Sequence, residues 1–281
     1  MKKETEPPIT EEILLRKGAR KAEDIPDEVI RLLQKGKLQT VNLTEWLAVD
    51  HHLLLRAITD ELGLQKELAR VIQRLSQLGE TRIMKIIPAI ASEWLGVLEG
   101  YSKQDQQRIF HFQATHLSDS VRCWAAYIIG MNPRLCLEEK LSSIRPFAAD
   151  SHFGVREIAW MAIREPLSKE VKGAITLLRE WVYDHDPNIR RFAIEATRPR
   201  GVWAKHIHEL KAKPELGLPL LEAVNADTSK YVQDSVGNWL NDASKSNPDW
   251  VLQICEEWLK RSDSKETKRI VARAKRSLDK K

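Results

Sequence analysis

The chain has 281 residues, 42% of them hydrophobic and 30% charged, a balance that suits a folded chain and excludes intrinsic disorder. Its twelve glycines are too few for a strand-rich fold, in which turns recur about every ten residues. Three cysteines without metal-ligand spacing, no apolar leader and no long apolar run set the expectation of a reduced, cytoplasmic protein without membrane association.

Taken in chain order, residues 1–10, with Pro7-Pro8, read as frayed. Asp27–Gln34, Leu43–Leu62 and Gln65–Leu78 read as helices of an N-terminal capping region spanning residues 1–80. Residues 81–281 read as one continuous domain of repeated helix pairs. Its second half carries the repeats most clearly. Val121-Arg122-Cys-Trp-Ala125 follows Ser118-Asp119, and Val155-Arg156-Glu-Ile-Ala159 follows Asp150-Ser-His. Ile189-Arg190-Arg-Phe-Ala193 follows Asp186-Pro187-Asn188, and Val232-Gln233-Asp-Ser-Val236 follows Asp227-Thr228-Ser229. A weaker copy, Thr267-Lys268-Arg-Ile-Val271, follows Asp263-Ser264, and the intervals are 34, 34, 43 and 35 residues.

In each copy an Asp or Ser caps a helix start, a β-branched residue packs inward, a basic or amide residue follows, and small residues allow close packing. Asn132-Pro133 and Asn247-Pro248 read as caps of partner helices with proline at the first helical position. Such pairs cannot bury their apolar faces alone and must stack, so the expected fold is an all-α solenoid of HEAT-like helical repeats. The Trp, Gly and Tyr spacing of tetratricopeptide repeats is missing. The cysteines Cys123, Cys136 and Cys255 read as small core residues on helices.

The repeats allow positions to be compared. Counted from the β-branched anchor, Glu157 sits at +2, Glu195 at +6 and Asp242 at +10. Four residues on a helix turn 400°, so the acids drift by only about 40° per copy. One acidic stripe in three consecutive repeats is expected, facing the concave side of the solenoid. Taken singly, each acid also reads as an ordinary solvated or salt-bridged residue. Next comes Arg190-Arg191-Phe-Ala-Ile-Glu195-Ala-Thr-Arg198-Pro199-Arg200-Gly-Val-Trp203, where Pro199 stops the helix. Four arginines and an indole suit an anionic, planar ligand. The same residues also fit a core tryptophan with arginines paired to nearby acids. Asn238, Trp239 and Asn241 add amides and a second indole. The net charge of +5 belongs to the C-terminus, because residues 259–281 hold ten Lys/Arg against three acids. That tail reads equally as a solvated face or a phosphate-binding stripe.

At these residues the chain resembles the AlkC/AlkD-like DNA alkylation-repair glycosylases, and more closely the AlkC branch. The resemblance rests on Arg190-Arg191-x-x-x-Glu195-x-x-Arg198-Pro199-Arg200-x-x-Trp203-Ala204, on Leu220-Leu221-Glu222, on Tyr231-Val232-x-x-Ser235-Val236-x-Asn238-x-Leu240-Asn241-Asp242, and on Asn247-Pro248-Asp249. It implies a HEAT-like solenoid holding duplex DNA with alkylated bases, and hydrolysis of the N-glycosidic bond of cationic purines such as 3-methyladenine. It further implies no metal and no cofactor. By motif, Glu195 and Asp242 take the acidic groove positions. Glu157 takes a third by repeat position, though within a different local sequence. Arg198 and Trp203 match groove residues of that branch. Arg190, Arg191, Arg200, Asn238, Trp239 and Asn241 complete the expected DNA-contacting set. The chain is expected to act as a monomer. Some members of the branch carry a further immunoglobulin-like domain, where this sequence ends in a basic helix. Two other readings stay open: a HEAT-like protein that binds damaged or branched DNA without excision, and a protein-binding scaffold. The eight histidines form no triad or ligand set, and no Gly-rich phosphate loop occurs.

Overall fold

A computed structural model describes residues 9–79, 82–201 and 203–278. The expected fraying of residues 1–8 lies outside them. The described residues form α-helices joined by turns and short 3-10 segments, with no strand. None of these helices is long and apolar enough to cross a membrane. The helices divide into two compact units, Met1–Asn132 and Pro133–Lys281.

The first unit holds α1 (Glu11–Leu14), α2 (Asp27–Gln34), α3 (Leu43–Ala48), α4 (His51–Leu62), α5 (Gln65–Leu78), α6 (Ile83–Leu98), α7 (Lys103–Ala114) and α8 (Asp119–Met131). The expected helix over Leu43–Leu62 is two helices. Asp50 accepts from the backbone N–H groups of His52 and Leu53 at 2.8 and 3.1 Å, which starts α4 afresh. The helices read as a capping region also bind the first repeat. Thr40 gives its backbone N–H and its hydroxyl to the Asp119 carboxylate at 2.8 and 3.0 Å. Arg122 reaches Gln39 at 2.8 Å. Packing therefore gathers residues 83–131, read from sequence with the repeats, into this unit.

Trp124 donates its indole N–H to Nδ1 of His51 at 3.1 Å. The proton of the neutral ring must then sit on Nε2, which is buried and has no hydrogen-bond partner among the described residues. Burial pushes the His51 pKa down to about 4. Above its ordinary value of about 6.5 the ring is neutral in both folded and unfolded chains. As pH falls from there, the unfolded chain takes up a proton that the folded unit refuses, so stability drops until about pH 4. The expected loss is about 3 kcal/mol across that window, read as urea unfolding followed by tryptophan fluorescence. His51→Gln keeps an acceptor for Trp124 and should flatten the dependence; an unchanged slope in that variant would assign it to other groups.

The second unit holds α9 (Leu137–Ala148), α10 (Phe153–Lys169), α11 (Val171–Leu178), α12 (Pro187–Ala196), α13 (His208–Ala212), α14 (Leu218–Ala223), α15 (Lys230–Ser244), α16 (Pro248–Arg261) and α17 (Lys265–Lys275). Successive second helices lie side by side in the order α10, α12, α15, α17, and α9, α11, α14 and α16 back them. This is the layered stacking of HEAT-like repeats. The β-branched anchors Val155, Ile189, Val232 and Thr267 are all buried, as their pattern requires. The 43-residue interval accommodates α13 and a 3-10 turn at Pro214–Gly217. A side chain at Gly217 would meet the Trp239 ring at 2.5 Å, so only glycine fits there.

The caps differ in detail from expectation. Asn132-Pro133 does not open a helix. Asn132 ends α8, and α9 starts at Leu137 from a capping box in which Glu139 accepts the Cys136 N–H at 2.8 Å. Cys136 is accordingly exposed rather than in the core, whereas Cys123 and Cys255 are buried. Asn247-Pro248 does open α16, but the Asn247 amide donates to the Lys211 carbonyl at 2.7 Å instead of capping.

Candidate functional site

Because α10, α12 and α15 are neighbours, the three acids of the predicted stripe come from adjacent helices. Arg198, just past the end of α12, ties two of them together. Its guanidinium donates to Oε2 of Glu195 at 3.0 Å and, through Nε, to Oδ2 of Asp242 at 2.9 Å. Ser235 of α15 gives its hydroxyl to the other Glu195 oxygen at 2.7 Å. Arg191, one helical turn before Glu195, lies 3.7 Å from that same oxygen and donates to Glu157 of α10 at 2.5 Å. The Tyr231 ring lies under the Arg191 guanidinium at 4.2 Å. Glu157 also accepts the Trp160 indole N–H at 2.8 Å. A continuous chain of alternating charge thus runs Glu157, Arg191, Glu195, Arg198, Asp242.

Glu195 and Asp242 are 3% and 4% exposed, so neither charge is cushioned by solvent. Burial alone would raise the Glu195 pKa, but Arg191, Arg198 and the Ser235 hydroxyl overcome it and hold the carboxyl below its usual range. Glu195 is therefore an anion at neutral pH and cannot serve as a proton donor. Both arginines are in turn held charged by the acids beside them, against the opposing effect of burial. The oxygens are unequally engaged. Asp242 Oδ2 takes Arg198, whereas among the described residues Oδ1 meets only the exposed Lys245 ammonium, at 3.5 Å. That oxygen keeps acceptor capacity for a water or a cation.

The loop after α12 is stapled by Arg164 of α10, whose buried guanidinium donates to the carbonyls of Ala196, Arg198 and Lys205 at 3.1, 2.5 and 2.8 Å. Burial and the neighbouring Arg198 push its pKa down to about 10, leaving it charged at neutral pH. Held by this staple, Trp203 adopts a left-handed backbone (φ 58°) and is 59% exposed. A bulky residue in that region marks a strained, specifically shaped turn. Trp203 is thus no core plug. Arg200 lies half-buried on the same loop and donates to Ser246 at 2.8 Å.

Four predicted contact residues are placed differently. Arg190 is a structural clamp. It donates to the carbonyls of Asp184 and His185 at 2.8 and 3.0 Å and forms a two-point pair with Asp227 at 2.6 and 2.9 Å. Arg122 and Arg156, at the same repeat position, grip the carbonyls of their own preceding loops in the same way. Trp239 is fully buried and gives its N–H to the Thr197 carbonyl at 3.0 Å. Asn241 is buried and donates to the Ala274 carbonyl at 3.0 Å. Asn238 is half-buried and accepts from Arg273 of α17 and from Arg276 just past its end. Conversely, Arg164, Trp160 and Lys245 were not among the residues expected at the site, and Ser235 entered only as part of the resemblance motif. Ser235 and Lys245 sit seven residues before and three after Asp242, spacings that put them on its face of the helix.

Residues 138–275 match the family described as DNA alkylation repair enzyme. An uncharacterized protein of Bacillus subtilis, YhaZ, is 34% identical over 121 residues, which is 43% of this chain and 32% of that protein. The structure of Pseudomonas fluorescens alkylpurine DNA glycosylase AlkC, bound to DNA containing an abasic site analog, aligns with a TM-score of 0.65 at 24% identity. That alignment covers 80% of this chain and 62% of AlkC. AlkD2 from Streptococcus mutans aligns with a TM-score of 0.55 at 23% identity, over 73% of this chain and 97% of its own. The chain spans about a third of YhaZ and less than two thirds of AlkC, and at these identities the structural likeness is one of fold. Over residues 138–275, therefore, the chain is similar to the DNA alkylation repair enzyme family, and its helical-repeat fold is that of AlkC and AlkD2.

Proposed function

We propose that this protein binds duplex DNA and hydrolyses the N-glycosidic bond of cationic alkylated purines such as 3-methyladenine, as a monomer and without metal or cofactor. The observation that carries the reading is the joining of Glu195 and Asp242, from adjacent helices, through one Arg198 guanidinium. A 3-alkylated adenine already bears positive charge and needs no general acid to leave. Departure puts positive charge on the sugar, and ionised carboxylates fixed beforehand stabilise it without reorganising. Glu195, kept anionic by its arginines, suits that task and not proton donation. Asp242 Oδ1, with its spare acceptor capacity, suits orienting or deprotonating the attacking water. Glu157 extends the negative row. Trp203 offers an indole face to a cationic base or an unpaired one, and Arg200 a charge for the backbone.

The test is chromatographic detection of free 3-methyladenine after purified protein is incubated with methylated duplex DNA, beside an unmethylated control. Release above spontaneous depurination is expected, and background release would remove the enzymatic reading. One observation favours a second reading: both buried carboxylates are already paired with arginine, as in a purely structural ion-pair spine. A non-catalytic DNA-binding protein would show salt-sensitive binding without base loss. Measuring binding on the same DNA separates the two.

A further inference from the structure

Asp234, Asn238 and Asp242 lie four residues apart along α15 and so share one face of that helix. Toward α12 this face meets Arg198. Toward α17 it meets three more arginines. Arg269 donates to Asp234 at 2.7 Å and to Gln233 at 3.2 Å. Arg273 lies 3.2 Å from Asp234 and donates through Nε to Asn238 Oδ1 at 2.9 Å. Arg276 donates to that same Asn238 oxygen at 2.8 Å. Arg269 and Arg273 thus share one carboxylate, Asp234, while Arg276 feels Asp242 and Asp234 only at longer range. Arg273 and Arg276 converge on a neutral amide oxygen.

Such convergence is electrostatically unfavourable by itself. Like charges close together on a neutral acceptor repel, and the Arg276 pKa is lowered by partial burial and by Arg273 beside it. The arrangement is nonetheless built in. Gly237 has no side chain where one would press on the Arg273 stem at 2.8 Å, so α17 can lie this close to α15. Arg276 remains exposed, and the Arg273 side chain is 36% exposed. A guanidinium pair held by a fixed amide matches the oxygens of a phosphodiester.

We infer that Arg273 and Arg276, positioned by Asn238, form a binding site for a backbone phosphate of duplex DNA one helical turn from Asp242. This inference rests on the DNA-binding reading above and adds to it a function for the basic last helix. Asn238 acts in it by positioning the arginines. The site anchors the strand beside the carboxylate row, so that the damaged nucleotide is held in register by a contact carrying no sequence information.

The experiment measures binding of an undamaged duplex by fluorescence anisotropy between about 50 and 200 mM salt. Each lost phosphate contact lowers the slope of log affinity against log salt by about 0.9. Arg276→Gln and Arg273→Gln are each expected to lower it by that amount and to weaken binding several-fold. Lys260→Gln, which removes the same charge from the exposed surface of α16, should leave the slope alone. Arg276 lies at the exposed end of α17, so its variant should fold normally, which circular dichroism checks. Tight duplex binding with unchanged slopes in both arginine variants would overturn the site and leave the DNA reading standing. An equal loss in Lys260→Gln would overturn it as well, as a general charge effect. Failure of the wild type to bind duplex would remove both.

Discussion

Asp242→Asn and Glu195→Gln are each expected to reduce release of 3-methyladenine by about 10²–10³-fold while leaving DNA binding nearly unchanged. Both replacements keep the side chain's shape and remove one charge. Asn at 242 can still accept from Arg198, and Gln at 195 can still accept from Ser235 or Arg198, so the network's hydrogen bonds survive in part. What is lost is the negative potential that a positive sugar would feel. The acids differ in their surroundings, and the variants should differ accordingly. Glu195 has both oxygens engaged, and its loss acts on the barrier through charge alone. Asp242 has a freer oxygen, so its variant also loses a water-orienting acceptor and should be the more severely impaired. Glu157, whose side chain is 31% exposed, is expected to matter least, because solvent weakens its field. Rates at enzyme excess, with affinity measured separately, check the order. Equal activity in wild type and Asp242→Asn would deny the carboxylate a part in the chemistry.

Removal of Arg198 is expected to be the most destabilising single change in the second unit. The Arg198→Ala variant leaves two buried carboxylates sharing a space with no cation between them. Stripping one partner from a buried pair costs about 3–5 kcal/mol, because the remaining charge keeps its desolvation penalty. For a unit of this size that lowers the melting temperature on the order of 10 °C. The pH dependence should change with it. In the wild type the folded Glu195 pKa lies below the unfolded one. Its stabilising contribution is therefore fully present above about pH 4.5 and is lost as pH falls through the depressed folded value. Without Arg198, burial has less to oppose it, Glu195 holds its proton to higher pH, and acid unfolding should lose this contribution. Adding Glu195→Gln and Asp242→Asn to Arg198→Ala removes the orphaned charges and should restore part of the stability. A variant as stable as wild type would mean that the arginine contributes nothing net to the fold.

Much of the fold was legible because burial writes a periodic signature. Val155, Ile189, Val232 and Thr267 recur at positions that must face inward, and the helices carrying them do lie side by side. The acids were legible for the same reason: once the repeats are aligned, offsets that advance by one turn per copy share a seam. What composition could not tell was whether a polar side chain's partners lie inside the chain. Arg190 and Arg191 are neighbours of identical type, yet one clamps its own loop and the other joins the carboxylates. The difference is a rotation of about 100° around the helix, which carries one side chain off the acidic face. Trp239 and Trp203 were both read as DNA-contacting indoles, with a core position left open for Trp203. Gly217 leaves a slot for the first, and the Arg164 staple holds out the loop that carries the second. Both depend on residues more than twenty positions away, beyond any local pattern. The break at Asp50 and the start of α9 at Cys136 were lost to capping geometry, where one side-chain hydrogen bond outweighs a continuous helical pattern.

Underlying the proposed chemistry is a single electrostatic statement: the buried charge of Glu195 and Asp242 is reserved for a positively charged sugar. The affinity of wild-type protein for duplex DNA bearing a cationic pyrrolidine in place of one nucleotide's sugar, against a neutral tetrahydrofuran at the same place, tests it most directly. A transition-state mimic should bind at least about 10²-fold more tightly than its neutral counterpart, with the preference lost in Asp242→Asn. Equal affinity for the two duplexes, or a preference that survives in the variant, would contradict the account.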